Sequence, residues 1–156
     1  MTVVRGNDLR DVEPGESVEM PDVLSGQGFE LQPRTVKVFK PTGAPVYFYD
    51  VITDGPERVG IASLVLEKDS GQVADCGHAC ANLSEGQTDP DLLSRVATRL
   101  IAHGFEKGLP KVRVVVPAQD EKSKHACTAQ TNMCAQDCFE CDGKEFVGYD
   151  YTPSGD

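Results

Sequence analysis

"ANLSEGQTDPDLLSRV", residues 81–96, is where the hydropathy pattern of this chain changes its period. From Leu92 onward the apolar residues are Leu92, Leu93, Val96, Ala97, Leu100, Ile101 and Phe105, which fall on one helical stripe. Thr88 or Asp89 is a suitable N-cap, and Pro90 suits the first turn. Gly108 suits the C-terminal cap and Pro110 stops the helix. The switch from period 2 to period 3.6 therefore predicts a helix from about residue 89 to residue 107. It also raises a question of charge. A helix start attracts anions, because its first N–H groups are unpaired and its dipole end is positive. Here Glu85, Asp89 and Asp91 flank that start, which is the wrong sign for a phosphate.

Upstream of this point the chain reads as strands. "TVKVF" (35–39) alternates Val36 and Val38 against Lys37, and "PTGAP" (41–45) is a turn. "VYFYDVI" (46–52) is aromatic and β-branched, "TDGPE" (53–57) turns, and "RVGIASLVL" (58–66) completes an antiparallel hairpin. "EKDSG" (67–71) turns again into "QVADCGHACA" (72–81), a fourth strand that extends the meander. Downstream of the helix, "KVRVVV" (111–116) is a strand. Strand 72–81, helix and strand 111–116 form a β-α-β crossover, which predicts that the two strands are parallel neighbours. "DEKSKHACTAQ" (120–130) forms a short helix and "EFVGYDYT" (145–152) a last strand. The order is β-β-β-β-α-β-α-β: an α/β (α+β) fold with a mixed sheet, an antiparallel meander followed by a β-α-β unit. Residues 1–28 carry scattered apolar residues among acids and read as an acidic N-terminal arm with little core. Residues 29–156 read as a single domain.

The bulk numbers narrow the function classes. The chain has 156 residues and a net charge of −10, against a nucleic-acid binder, which needs a basic stripe to neutralise phosphates. The same charge argues against anionic membrane surfaces and suits cationic partners. No apolar run reaches membrane-spanning length and no basic-then-apolar signal follows Met1, so the chain reads as soluble and cytoplasmic. Its six cysteines then read as reduced thiols. The sequence leaves the oligomeric state open.

"HGFEKGLPKVRVVVPAQDEKSKHA" (103–126) resembles the core of the GNAT acetyltransferase superfamily, in the branch that acetylates protein N-termini and antibiotics. "VGIASLVL" (59–66) looks like the family's central strand, and "VADCGHACANLSEGQ" (73–87) like the next strand and the cofactor loop. The likeness covers roughly residues 46–130. It implies a sheet whose central strands splay, with the pantetheine arm of acetyl-CoA lying in the gap like an extra strand and the pyrophosphate on the loop that opens the helix. On this sequence the resemblance puts Ala81, Asn82 and Leu83 against the arm and Gly86, Gln87 and Thr88 against the pyrophosphate, with Ser123 a further cofactor residue. It implies acetyl transfer from acetyl-CoA to a primary amine, either a small cationic molecule or a peptide amine. The sequence departs from the family at defined places. Leu83 and Thr88 stand at positions where the loop motif has a basic or Gln residue and Gly or Ala; Asp120 stands for Asn, and Cys127 falls near the position of a Tyr general acid.

Amine acetylation needs a base for the amine, N–H groups that polarise the thioester, and a proton for the leaving thiolate. His78 and Asp75, on opposite faces of the expected fourth strand, and Asp50 are candidate bases. Cys127 is a candidate proton donor, its thiol matching the leaving group in pKa. Two other readings compete: a GNAT-like domain that has lost catalysis and binds a partner, and a zinc- or redox-sensing module. For the latter, Cys76, His78 and Cys80 share a strand face at about 7 Å spacing. Cys134, Cys138 and Cys141 at i, i+4, i+7 would share a helix face. Buried thiols are the commoner use of cysteine, so no metal is expected.

Overall fold

β-Branched and aromatic residues alternate with polar ones from Phe29 onward, and the chain forms long antiparallel strands there. The computed structural model describes residues 1–55 and 57–155. Its strands are β1 (Leu9–Asp11), β2 (Leu24–Gly26), β3 (Phe29–Phe39), β4 (Ala44–Ile52), β5 (Arg58–Val65), β6 (Ala79–Leu83), β7 (Val112–Pro117), β8 (Met133–Cys141) and β9 (Lys144–Tyr151). The helices are α1 (Leu92–Glu106) and α2 (Glu121–Thr128). One antiparallel sheet runs β1-β3-β4-β5-β6, with β2 also paired to β3; a second runs β7-β9-β8. The expected turn over 53–57 includes position 56, which lies outside the described residues.

The helical stripe is the surest link from sequence to packing. Leu92, Val96, Ala97, Leu100 and Ile101 are all buried, and α1 lies across β5 and β6 and reaches β7. They meet Tyr47, Tyr49 and Val51 of β4 and Leu64 of β5 in one core. Each large apolar side chain buried this way contributes about 1.5–3 kcal/mol. Gly108, at φ +95°, closes the helix as expected, with the Leu109 N–H donating to the Gly104 carbonyl at 3.0 Å. Among the described residues, no helix is long and apolar enough to cross a membrane.

Three expectations are corrected. First, the segment read as a strand over 72–81 is a strand only from Ala79. Ser70–Val73 is a single 3-10 turn, and Gly77 takes φ +78° against β7. A Cβ at Gly77 would stand 2.8 Å from the Arg113 carbonyl oxygen, so glycine alone lets the two backbones come this close. Second, β6 and β7 are not paired neighbours; they belong to different sheets. They are joined at one end, where the His78 N–H donates to the Arg113 carbonyl at 2.7 Å. Beyond that point the first residues of the chain lie between them. Third, Met133–Cys141 is a strand, not a helix. It is an edge strand with most side chains exposed, so it carries no alternating apolar signal.

The N-terminal stretch also does more than an arm. Met1, Val4 and Leu24 are buried. β1 and β2 both pair with β3, which docks their isolated apolar residues one at a time.

Candidate functional site

The gap between β6 and β7 gathers most of the chemistry. β6 spends one edge of its backbone on β5, with Ala81 opposite Ala62, and turns the other toward the gap. There the Ala81 N–H donates to the Met1 Sδ at 3.3 Å. From the other side, the Val115 carbonyl of β7 accepts from the Thr2 N–H at 2.8 Å. The Met1 ammonium donates to Asn82 Oδ1 at 2.9 Å and to Ser123 Oγ at 3.2 Å, and stands 3.6 Å from Asp120 Oδ2. A segment of the chain therefore bridges the two strands through backbone, thioether and ammonium contacts.

Asp120 sits here because it starts α2. Its Oδ1 accepts the Ser123 N–H at 3.1 Å and its Oδ2 accepts the Ser123 hydroxyl at 2.6 Å. Partial burial pushes its carboxyl up, but those bonds and the Met1 ammonium outweigh burial and hold it below the ordinary carboxylate range. Cys127, two turns further along α2, is 1% exposed. Burial pushes its thiol up to about 11, against the opposing pull of the ammonium. Cys80 of β6 is pushed up to about 11 for the same reason. Tyr151 of β9 donates its hydroxyl to the Cys127 carbonyl at 2.7 Å and closes the floor.

Of the expected cofactor residues, Ala81, Asn82 and Ser123 thus converge on one place. Leu83 pairs with Gly60 and packs against the core. Gly86, Gln87 and Thr88 lie in the loop before α1, where the Gln87 N–H donates to the Ser84 carbonyl at 3.0 Å. The cap of α1 is displaced from its expected place: Asp91 is the N-cap and makes no side-chain cap bond. Asp89 instead accepts the Asp91 N–H at 3.0 Å and pairs with Arg95 at 2.8 Å. Arg95 in turn donates to the Gln27 carbonyl at 2.9 Å, so one of the three acids at the helix start is already neutralised.

The candidate bases do not reach this gap. His78 is 1% exposed, with Nε2 2.8 Å from the Glu67 carbonyl and Nδ1 accepting the Arg113 N–H at 2.9 Å. Both ring nitrogens are committed, and burial lowers its pKa. The expected opposition of His78 and Asp75 across a strand fails because both precede β6; Asp75 is exposed in the preceding turn. Asp50 of β4 stands between two guanidiniums, Arg34 at 3.1 Å and Arg58 at 3.6 Å. The metal alternatives lose their geometry for the same reasons. Cys76 packs beside the smaller cluster around Val4, Phe39 and Val73, whereas Cys80 lies in the main core. Cys134, Cys138 and Cys141 lie along a strand, where i and i+7 point to opposite faces. Among the described residues, no three His, Cys, Asp or Glu side chains converge as a metal would require.

A cavity of ≈ 350 Å³ away from the gap is lined by Ser70, Lys111, Arg113, Asp137 and Asp150. Arg113 fills its wall, donating to the Ala74 carbonyl at 2.9 Å, to Asp137 at 2.8 Å and to Asp150 at 3.2 Å. Its Nε, Nη1 and Nη2 are thus each engaged within the protein.

Sequence reasoning missed Met1 and Thr2, whose place no local pattern announces. It noted Asp120 only as a departure from Asn, although a carboxylate one residue before a helix is a cap signal.

No protein-family model matches the sequence, and no curated protein does. Solved structures do match. One is described as a GnaT-family acetyltransferase from Bordetella pertussis: 14% identity, TM-score 0.54, covering 69% of this chain and 66% of that one. Another, described as an acetyltransferase, matches at 14% identity and TM-score 0.51, over 69% of this chain and 62% of that one. The chain thus spans slightly less than two thirds of each. At such identity the likeness is one of architecture, and the meander, the crossover through α1 and the β6/β7 gap give this chain a GNAT-type fold.

Proposed function

We propose that the chain is a GNAT-type acyltransferase that takes its acyl group from acetyl-CoA and delivers it to a primary amine. The acceptor is a cationic small molecule or a peptide amine, drawn by the net charge of −10. The observation that carries this reading is the gap itself. Its two walls already hold a segment of the chain, the Ala81 N–H through the Met1 thioether and the Val115 carbonyl through the Thr2 N–H. A pantetheine arm, with its amides and terminal sulfur, has the same run of donors, acceptors and sulfur, so the residues present fit it.

Acetyl-CoA would supply the activated thioester. The chain supplies the rest. Ala81 and Val115 would hold the arm, and Asn82 and Ser123 offer polar atoms beside it. His78, Asp75 and Asp50 lie elsewhere, which leaves Asp120 as the carboxylate able to take the amine proton through water. The Cys127 thiol, at about 11, stays protonated at neutral pH and would be a hydrogen-bond donor to a leaving thiolate. Full proton transfer to a thiolate of ordinary pKa is uphill by about 3 kcal/mol. Its role would be to stabilise charge, with solvent supplying the proton. Six cysteines held as free thiols suit a reducing compartment, and we assign the chain to the cytoplasm.

A second reading, a silent GNAT-like domain that binds a partner, is favoured by the segment lying in the gap and by the acids beside α1. Incubation with acetyl-CoA and a panel of primary amines (a polyamine, an aminoglycoside, a peptide with a free N-terminus) separates the two. Mass spectrometry should find one acetylated amine formed faster than in buffer. Binding of acetyl-CoA with no acetylation of any amine selects the silent domain.

A further inference from the structure

Residues 1–4 behave as a bound ligand rather than as an arm. Met1 is 8% exposed, and its ammonium is received by Asn82, Ser123 and Asp120. Its thioether accepts the Ala81 N–H and the Thr2 N–H donates to the Val115 carbonyl, so the segment bonds to both walls of the gap. Val3 is 47% exposed, while Val4 is anchored in the separate cluster with Phe39, Val46 and Val65. Met1 and Thr2 can therefore leave about Val3 while Val4 stays in place.

We infer that Met1–Thr2 is an internal ligand of the β6/β7 gap, seated where a pantetheine arm would lie, so that acetyl-CoA enters only when this segment withdraws. The inference rests on the acetyl-CoA reading above. Docking and cofactor binding are mutually exclusive, because each needs the Ala81 N–H and the Val115 carbonyl. The apparent affinity for acetyl-CoA is then reduced by the fraction of molecules with the gap free. A segment docked 99% of the time weakens it about a hundredfold.

The methionines provide the readout. Met20 is 58% exposed and Met1 is buried, so in the free protein peroxide should oxidise Met20 rapidly and Met1 slowly. Saturating acetyl-CoA should raise the Met1 rate at least tenfold and leave the Met20 rate unchanged. Two variants empty the gap: Thr2→Pro, which lacks the N–H that Val115 accepts, and a chain carrying Gly-Ser-Gly ahead of Met1, which removes the ammonium. Each should oxidise Met1 rapidly without ligand and bind acetyl-CoA at least tenfold more tightly by titration calorimetry. Circular dichroism shows which variant is folded, and the folded one decides. Equal acetyl-CoA affinity in parent and variant, with Met1 still protected when acetyl-CoA is bound, overturns the inference and leaves the acetyl-CoA reading standing. No binding to either chain, with Met1 exposed in the variant, overturns the acetyl-CoA reading and the inference with it.

Discussion

His78 and Arg113 hold each other in both directions: the Arg113 N–H donates to His78 Nδ1 at 2.9 Å, and the His78 N–H donates to the Arg113 carbonyl at 2.7 Å. The pair joins the two sheets at the closed end of the gap. It also fixes the ring. Nδ1 must carry a lone pair to accept, so the proton resides on Nε2, which donates to the Glu67 carbonyl at 2.8 Å. An imidazolium would put a proton on Nδ1 facing the Arg113 N–H.

Stability should therefore fall as the solution is acidified through the histidine range. Burial depresses the folded pKa of His78, and that of His103 likewise, below the unfolded value of about 6.5. Between the two values the unfolded chain binds more protons, so stability rises with pH there. It is complete above about pH 6.5 and declines below it. Thermal midpoints should be level from pH 8 to 7 and drop from 6.5 toward 5. His103→Gln should lessen the drop without removing it, because His78 remains. A flat profile across that window would show that the ring is protonated at no cost.

Arg113 and Gly148 make a second linked pair. A Cβ at Gly148 would lie 2.2 Å from the Arg113 guanidinium. The end of an arginine ordinarily moves aside, but this one is tied to the Ala74 carbonyl, Asp137 and Asp150. Gly148→Ala should destabilise by about 1–3 kcal/mol, read by urea denaturation. Adding Arg113→Met to Gly148→Ala should cost less than the sum of the two single changes. Additive losses would mean that the guanidinium does not press on Gly148.

The cysteines should react in an order set by burial. Cys138 is exposed, whereas Cys80 and Cys127 are buried with thiols pushed up to about 11. With an aromatic disulfide reagent near pH 7.5, Cys138 should label first and Cys80 and Cys127 far more slowly. Labelling of Cys127 as fast as Cys138 in the native protein would mean that burial does not set the order.

What the sequence revealed and what it hid follow from the range of the forces involved. The α1 stripe, its Gly108 stop and strands β4, β5 and β7 were legible because their signals are local and periodic. β8 was hidden because an edge strand buries too little to alternate. The turn at Gly77 was hidden because it answers to the Arg113 carbonyl, 36 residues away in sequence. The candidate site divides the same way. The family resemblance pointed to Ala81, Asn82 and Ser123, which do meet. His78 and Asp75 fell outside the site because their placement assumed that β6 begins at residue 72, and Asp50, on β4, because it pairs with Arg34 and Arg58. Nothing near Met1 in sequence says that it fills the gap, since all its partners lie at least 80 residues away.

The charge at the start of α1 can now be weighed. Asp89 does not stand free: Arg95 reaches back to it at 2.8 Å and keeps its carboxyl below the ordinary range, helped by the Asp91 N–H. A pyrophosphate placed on this loop meets a paired acid and a paired base, so it gains little from Arg95 and is not repelled strongly by Asp89. Asp89→Asn changes that balance. The amide oxygen still accepts the Asp91 N–H, so the turn before α1 keeps its bond, while Arg95 loses its ion-pair partner and can turn to the phosphates. One charge at about 4 Å in water is worth about 1 kcal/mol, or roughly fivefold in affinity. With the gap emptied by Thr2→Pro, Asp89→Asn should tighten acetyl-CoA binding by about that factor at low salt, and by less at high salt as screening shortens the interaction. Glu140→Gln, an equal change of net charge on exposed β8, should leave the affinity unchanged. Equal tightening by both variants would trace the effect to overall charge. No tightening by Asp89→Asn would place the pyrophosphate away from the start of α1.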